Sequence, residues 1–579
     1  MTKSIRKKSI AILFAAMIAA AGLNGCGQVK ETEVPTEAAV QEEAADNADV
    51  EEAEDAADQD DAAGSDDGDK ADADASSVDD AQDTSVAHLK DADIWLSRNT
   101  HYVNSDDGLT RLLTCTYDEV MMDDASRKSF PELAEAIDKY NETANDFKEN
   151  SMAELAEEAK YQFENTDYFV SENNEYTDEK KIKLTRVDDQ VFSFTESYYS
   201  FAGGAHGYAG TFGVNIDTQT GEEIKLSDVI TDEDKLIEAI YEKLDKYYPE
   251  VRENYEDADK NVYRYIKGEY KEDMCWAMMP YGISLFFNAY SLGPYALGAQ
   301  TITLTYLDDP ELFSDKYTAD NGDWVLSREE ALIDVDGDGK SDHVYMENDY
   351  VYHEDYNYSE ITATNIYIND NKYTFEENSF DNDSLIIKHD DKYYMYVIGV
   401  HENDYRLIDF YELSADGAKK IGEYFGNVSP SEMDYDYDSE PNSFTDRIGV
   451  IYNPNHFYLS YRLDLLSTFS GIKAFEIGED GRTHALDELY HVSEKVSPEF
   501  TTKIELTVKD VDEAGNVGEE KTIPVGKKFK VFRTDDETFA DCRLEDGSLF
   551  RLEVDKSDWP RKIDGKELEE VLDGTIFAG

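Results

Sequence analysis

Residues 192–228 read FSFTESYYSFAGGAHGYAGTFGVNIDTQTGEEIKLSD, from Phe192 to Asp228. Aromatic residues recur alternately as far as Phe201, the period of a strand with one buried face. The small residues of Gly203-Gly-Ala-His-Gly207 then allow a sharp reversal, and a second strand runs on to a turn at Asp217-Thr-Gln-Thr-Gly221. The stretch is an antiparallel hairpin, and its neighbours take their places from it. Ahead of it, Lys181 to Val187 alternates as a half-buried strand, and Trp95 to Ser97 and Leu109 to Tyr117 supply others. Ser129-Phe-Pro-Glu132 has the form of a capping box. Leu133, Ile137, Tyr140, Phe147, Met152, Leu155, Ala159 and Phe163 then keep helical spacing over one long or two short helices. Downstream, Leu236, Ile237, Ile240, Tyr241 and Leu244 line one face of an amphipathic helix, and strands at Gly282 to Asn288 and Thr301 to Tyr306 flank a Pro294-Tyr-Ala296 turn. Residues 86–316 are therefore expected to form an α+β domain with an antiparallel sheet.

Taken in order, Tyr198-Tyr-Ser200, Gly203-Gly-Ala-His-Gly207, Asp217-Thr-Gln-Thr-Gly221, Leu226-Ser-Asp228, Ile283-Ser-Leu-Phe-Phe287 and Pro294-Tyr-Ala296 resemble one extracytoplasmic family. It comprises the outer domain of the lysozyme-sensing anti-sigma-V factor and the N-terminal region of PdaC-type deacetylases. The resemblance covers Leu89 to Leu312 and implies noncatalytic binding, of lysozyme in one branch. No deacetylase domain is read in the remainder, nor a transmembrane helix leading to a sigma-factor-binding segment. Within the hairpin, Tyr198, Tyr199 and His206 form a candidate ligand site. No Ser or Cys nucleophile motif and no paired-His zinc motif accompanies His206, so an imidazole bonding backbone in a tight turn is expected over a catalytic base.

The N-terminus reads as an export signal over residues 1–25: Arg6, Lys7 and Lys8 precede an apolar run from Ile10 to Leu23 that is short for a membrane span. Leu23-Asn24-Gly25-Cys26 resembles a bacterial lipobox, in which Cys26 becomes the lipidated first residue and holds the chain on the extracytoplasmic face of the cell membrane. From there to residue 85 the sequence is dominated by Ala, Asp, Glu, Ser and Gln, its carboxylates opposed only by Lys30 and Lys70. Such a segment buries too little apolar surface to offset its ordering entropy and is expected to be a disordered tether. The whole chain of 579 residues carries a formal net charge of -76. That excludes nucleic acid and docking on anionic lipid through a basic patch, and it favours cationic proteins and divalent metal ions.

Residues 321–496 are expected to be an all-β domain, because short apolar runs such as Ile361 to Ile368, Tyr393 to Gly399 and Leu407 to Tyr411 are separated by Asn and Asp turns. Its sharpest signal is Asp334-Val-Asp-Gly-Asp-Gly-Lys-Ser-Asp342. Carboxylates of Asp334, Asp336, Asp338 and Asp342 at loop positions 1, 3, 5 and 9, with the Lys340 carbonyl at position 7 and Gly339 at the turn, are the donor pattern of a structural calcium site. Asp434 to Glu440 imitates the first half of such a loop and is read as an acidic loop. Residues 501–579 alternate over several short strands and resemble a small SH3-like β-barrel. Cys115 and Cys275 either pair across the first domain or are free thiols, and nothing around Cys542 marks a reactive site.

The expected function is noncatalytic: a surface lipoprotein binding a cell-wall glycan or a cationic protein such as lysozyme, with calcium in a structural role. The alternatives are an accessory to a peptidoglycan hydrolase or deacetylase, and a calcium-dependent adhesin.

Overall fold

The computed structural model describes residues 88–166, 168–170, 175–204, 206–318, 322–353, 358–402, 405–436 and 442–578. The export signal, Cys26 and the acidic tether lie outside them, as do residues 437–440 of the acidic loop. What is described is mostly β, in several sheets that are nearly all antiparallel.

The hairpin sits at one side of the first sheet. Its strands are β1 (Ile94–Asn104), β2 (Arg111–Met122), β3 (Tyr176–Val187), β4 (Val191–Phe201) and β5 (Tyr208–Asp217), hydrogen-bonded in that order. The reversal between β3 and β4 is held by the Asp188 carboxylate, which accepts the Gln190 and Val191 amides at 2.8 and 2.9 Å. One pair departs from the expected antiparallel sheet: β2 and β3 run parallel. The cause is α1 (Pro131–Asn165), one unbroken helix of 35 residues that crosses over the sheet between them. Leu133, Ile137 and Tyr140 of α1 pack on Leu96, Val120, Ile182, Phe192 and Phe194. The capping box expected at Ser129 is absent. Phe130 occupies the N-cap, and Ser129 instead ends a preceding helical turn and donates to the Ala125 carbonyl at 3.1 Å.

Beyond the hairpin, α2 (Glu233–Tyr247) and α3 (Ala258–Ile266) cover a three-stranded sheet of β6 (Cys275–Met279), β7 (Gly282–Phe287) and β8 (Gln300–Thr305). Trp276, Met278, Ile283 and Leu285 face these helices, while Ala277, Met279 and Phe286 face the other way into the next core. β6 crosses β5 so closely that any side chain on Gly213 would strike the Trp276 carbonyl. Asn215 bridges the two sheets there, its amide donating to the Trp276 carbonyl at 3.0 Å and its oxygen accepting the Met278 amide at 2.7 Å.

After β9 (Trp324–Leu326) the chain is a meander. β10 (Glu330–Ile333), β11 (Asp342–His353), β12 (Tyr358–Ile368) and β13 (Asn371–Ser379) make one sheet. β14 (Asp381–His389), β15 (Lys392–Val400), β16 (Arg406–Ser414) and β17 (Gly417–Phe425) make the next together with β9. The second of these sheets is buried on both faces. Ile386, Met395, Val397 and Tyr411 meet the first meander sheet, and Leu385, Tyr394, Tyr396 and Phe410 meet Phe457, Leu459 and Phe475. This is why its strands read as continuous apolar runs.

The expected boundary near residue 321 is crossed by the chain itself. After β18 (Asn427–Ser429), strands β19 (Tyr435–Asp436) and β20 (Ser443–Ile448) return to the first sheet, where β20 pairs with β1 from Leu96↔Ile448 to His101↔Ser443. Strands β21 (Phe457–Leu463), β22 (Phe469–Ile477), β23 (Thr483–Ala485) and β24 (Tyr490–His491) then lead into the C-terminal strands. His491 pairs with Ile472 on one side and Arg533 on the other, so residues beyond 499 extend an existing sheet. Its path runs out at Val517–Ile523 without returning on itself, and among the described residues no barrel closes. The SH3-like barrel expected for 501–579 is thereby corrected: alternation revealed the strands, which pair largely with one another, but at Thr534 and Arg533 they join Tyr490 and His491 and so continue an open sheet instead of closing. Cys115, Cys275 and Cys542 are free thiols.

Candidate functional site

The turn joining β4 to β5 is built of small residues because tyrosines enclose it. Gly203 and Gly204 have φ of 82° and 96°, a region that β-carbons disfavour. A Cβ on Gly203 would lie 3.0 Å from the Tyr168 hydroxyl, and one on Gly207 would lie 2.6 Å from the Tyr199 ring. His206 stacks on Tyr295 with ring centroids 3.9 Å apart and planes 14° apart. Its Nδ1 lies 3.0 Å from the Gly207 carbonyl, to which the Tyr295 hydroxyl also donates at 3.4 Å. His206 thus bonds backbone in the turn.

Tyr198 and Tyr199 face opposite ways, as neighbours on a strand must. Tyr198 is buried, and its hydroxyl donates to Asp178 at 2.7 Å. Ser151 of α1 and Tyr117 donate to the same fully buried carboxylate. Burial first, and the Asp178 charge next, hold the Tyr198 phenol well above its usual pKa. The polar end of Tyr198 thus belongs to the packing of α1 on the sheet, while Tyr198 also borders the cleft on which Tyr199 opens.

Tyr199 lies on the other face, 40% exposed, at an open cleft of about 400 Å³. Glu179, Lys181, Ser197, Thr211 and Asn288 line it as well. The register explains the grouping: Glu179 pairs with Tyr199, and Lys181 with Ser197, which pairs in turn with Thr211. These residues make two cross-strand rows on one face. Lys181 and Glu179 form an ion pair at 3.2 Å. Asn288, after β7, accepts the Thr211 amide at 2.8 Å and donates to the Thr211 carbonyl at 3.0 Å, closing the edge of β5 as a further strand would. The cleft presents an aromatic face, a cation, a carboxylate and hydroxyls. Of these only Tyr199 was singled out from sequence; the alternation of Glu179 and Lys181 was the available signal for the others.

The second candidate is the loop between β10 and β11. Ligand atoms of Asp334, Asp336 and Asp338 lie within 4.8 Å of one another. The turn is shaped by amides donating to these carboxylates: Gly337 and Gly339 to Asp334 at 2.8 and 3.0 Å, Asp338 to Asp336 at 3.0 Å, and Lys340 to Asp338 at 2.9 Å. Gly337 and Gly339 both have positive φ. Asp342 is engaged elsewhere, its two oxygens accepting the Val335 amide at 3.0 Å and the Asn369 side chain at 2.6 Å. Three of the predicted donors therefore converge, and their all-oxygen chemistry fits a hard cation. A further group, Asp323, His389 and Asp390, escaped the sequence reading. There the buried His389 Nδ1 lies 2.9 Å from Asp323, at a turn where Asp390 and Asp391 both have positive φ.

With this geometry in hand, residues 227–307 match the family described as "Protein of unknown function (DUF3298)". They form a DUF3298 domain. It comprises α2, α3 and β6 to β8, so Asn288 and Tyr295 come from it while the hairpin precedes it. Similar solved structures include a DUF3298 family member from Bacteroides fragilis, 15% identical with a TM-score of 0.30, which covers 40% of this chain and 96% of its own. A DUF3298 family protein from Pseudomonas aeruginosa is 16% identical with a TM-score of 0.26, covering 40% of this chain and 98% of its own. No curated protein matches the chain. Among the described residues, no helix is long and apolar enough to cross a membrane.

Proposed function

We propose that the protein is a noncatalytic, lipid-anchored binding protein of the bacterial envelope, taking a cell-wall glycan in the cleft beside Tyr199 and attracting cationic proteins to its acidic surface. The observation that carries the reading is the cleft lining. An exposed aromatic face suits the apolar side of a sugar ring, and the Lys181, Glu179, Ser197 and Asn288 groups around it suit hydroxyls and amides. The resemblance to the anti-sigma-V and PdaC extracytoplasmic domains, which spans both the hairpin and the DUF3298 domain, supports a binding role. Calcium at Asp334, Asp336 and Asp338 has a structural part, tying the β10–β11 turn. The anchor is Cys26, whose replacement by Ser is expected to move the protein from the membrane fraction to the medium.

The test is co-sedimentation of the full-length chain with purified peptidoglycan, with and without calcium. Tyr199→Ala and Lys181→Ala are each expected to reduce the bound fraction by about 5-fold or more while leaving thermal unfolding unchanged, since both side chains are exposed at the cleft. Undiminished sedimentation of both variants would remove the cleft from the function.

A further inference from the structure

The stacked meander sheets have two unlike ends. One end gathers Asp-rich turns: the Asp334 to Asp338 loop, Asn369-Asp370, Asp390-Asp391 and Asp416. The other gathers the opposite ends of the same strands: the end of β11 and start of β12, the end of β13 and start of β14, the end of β15 and start of β16, and the end of β17. Contacts between sheets fix this alignment, for Gly399 lies against Ser379, and Gly426 against the Ser460 carbonyl. The side chains offered at this second end are aromatic. Tyr350 is 61% exposed, Tyr352 57% and Phe425 58%, with Phe380 and Tyr405 each at 40%. The Phe380 ring meets Tyr358 edge to face at 5.6 Å. Exposed carboxylates of Asp349, Asp381 and Glu402 stand among them.

Ring faces are electron-rich, and adjacent carboxylates deepen the negative potential, so such a rim selects for cations. It already holds one of its own: the Arg462 guanidinium lies 5.3 Å from the centre of the Tyr405 ring. We propose that this aromatic rim is a docking surface for an extended cationic polypeptide. Face-to-face sheets lie about 10 Å apart, and a chain in the extended polyproline II conformation rises about 3.1 Å per residue with about three residues per turn, so an arginine or lysine at every third residue falls on one side and meets successive sheets in step. A neutral glycan would cover the rings and leave the carboxylates without a charge partner. The rim gives a surface to the cationic partner proposed above and rests on that reading.

The experiment titrates the full-length chain with a fluorescent peptide of about 15 residues bearing arginine at every third position among Ser and Gly. A peptide of the same composition with its arginines clustered serves as control. The spaced peptide is expected to bind at least about 3-fold tighter than the clustered one and to weaken about 10-fold between low and physiological salt. The Tyr350→Ala, Phe425→Ala double variant is expected to lose about 5-fold or more, whereas Tyr199→Ala in the cleft leaves peptide binding unchanged. Both rim rings are more than half exposed, and Tyr352→Ala provides a second probe of the same strand if the double variant unfolds. Wild-type affinity in these rim variants overturns the rim while leaving the cationic-partner reading standing. No affinity of the native chain for either peptide overturns both. Displacement of the peptide by a chitin oligosaccharide assigns the rim to glycan and overturns the proposal.

Discussion

At Gly213 the backbone of β5 passes so close to β6 that one methyl group would meet the Trp276 carbonyl oxygen. Gly213→Ala must therefore part the two sheets or distort β5, and a loss of about 3 kcal/mol in urea unfolding is expected, at the upper end for overpacking. Asp541 gives a second prediction. It is fully buried between Arg533, whose Nε donates at 2.8 Å, and Arg551, which donates at 2.7 and 2.9 Å. Asp541→Ala strands two guanidinium groups in the C-terminal sheet, and a loss of about 3 to 5 kcal/mol is expected in the same measurement. Neither role is legible in the sequence, where Gly213 is one glycine of a strand and Asp541 one of many carboxylates. What is legible is alternation: Tyr198 and Tyr199 must face opposite sides of β4. Which of them meets α1 depends on Asp178 and Ser151, brought there by a crossover that no local pattern encodes.

At the scale of elements, β20 shows both the reach and the limit of pattern reading. Its residues are all only half-buried, so no apolar run announces it, and its partner β1 lies some 350 positions earlier in the chain. The strands of the hairpin and the meander, whose partners are sequence neighbours, were by contrast readable from alternation and turn residues. β20 also carries a pH dependence. Burial raises the Asp446 carboxyl from 3.8 to about 6, against the lowering effect of Arg98, its partner across the pair with β1. The folded state thus prefers the protonated form. This contribution to stability is fully present below 3.8, fades as pH rises toward 6, and is lost above it. Docking of β20 is expected to be tighter at pH 5 than at pH 7.5. Asp446→Asn is expected to abolish that difference and to stabilise the neutral-pH protein by roughly 1 kcal/mol, after allowing for solvent screening of a partly exposed group. Amide exchange in β1 and β20 at the two pH values measures it, and an identical pH response in the variant would exclude Asp446 as its source. The β10–β11 turn has its own check: millimolar calcium is expected to raise the thermal midpoint of the native chain and to leave that of Asp336→Ala unchanged.

For the whole molecule, the decisive fact is that cores are shared between stretches that look separate in sequence. Residues 321–496 read as an all-β domain with its own periodicity, yet Ile333, Val344, Met395 and Val397 close a core with Ala277, Met279 and Phe286 of the DUF3298 domain. The same stretch gives β20 to the first sheet, and its Leu463, Leu465, Leu466, Phe469 and Val492 to a core otherwise built from residues beyond 499. Cut out alone, it would expose apolar faces on both flanks and leave β20 without β1. At about 25 cal/mol per Å² the loss of those contacts exceeds the few kcal/mol by which a domain of this size is stable. A fragment of residues 321–496 is therefore expected not to fold, giving collapsed amide dispersion and no near-ultraviolet circular dichroism. A fragment starting at residue 86 and running to the C-terminus is expected to give both signals. An independently folded, cooperatively melting 321–496 fragment would show that the shared cores are contacts between finished domains, and the boundary seen in the sequence would then be a true one.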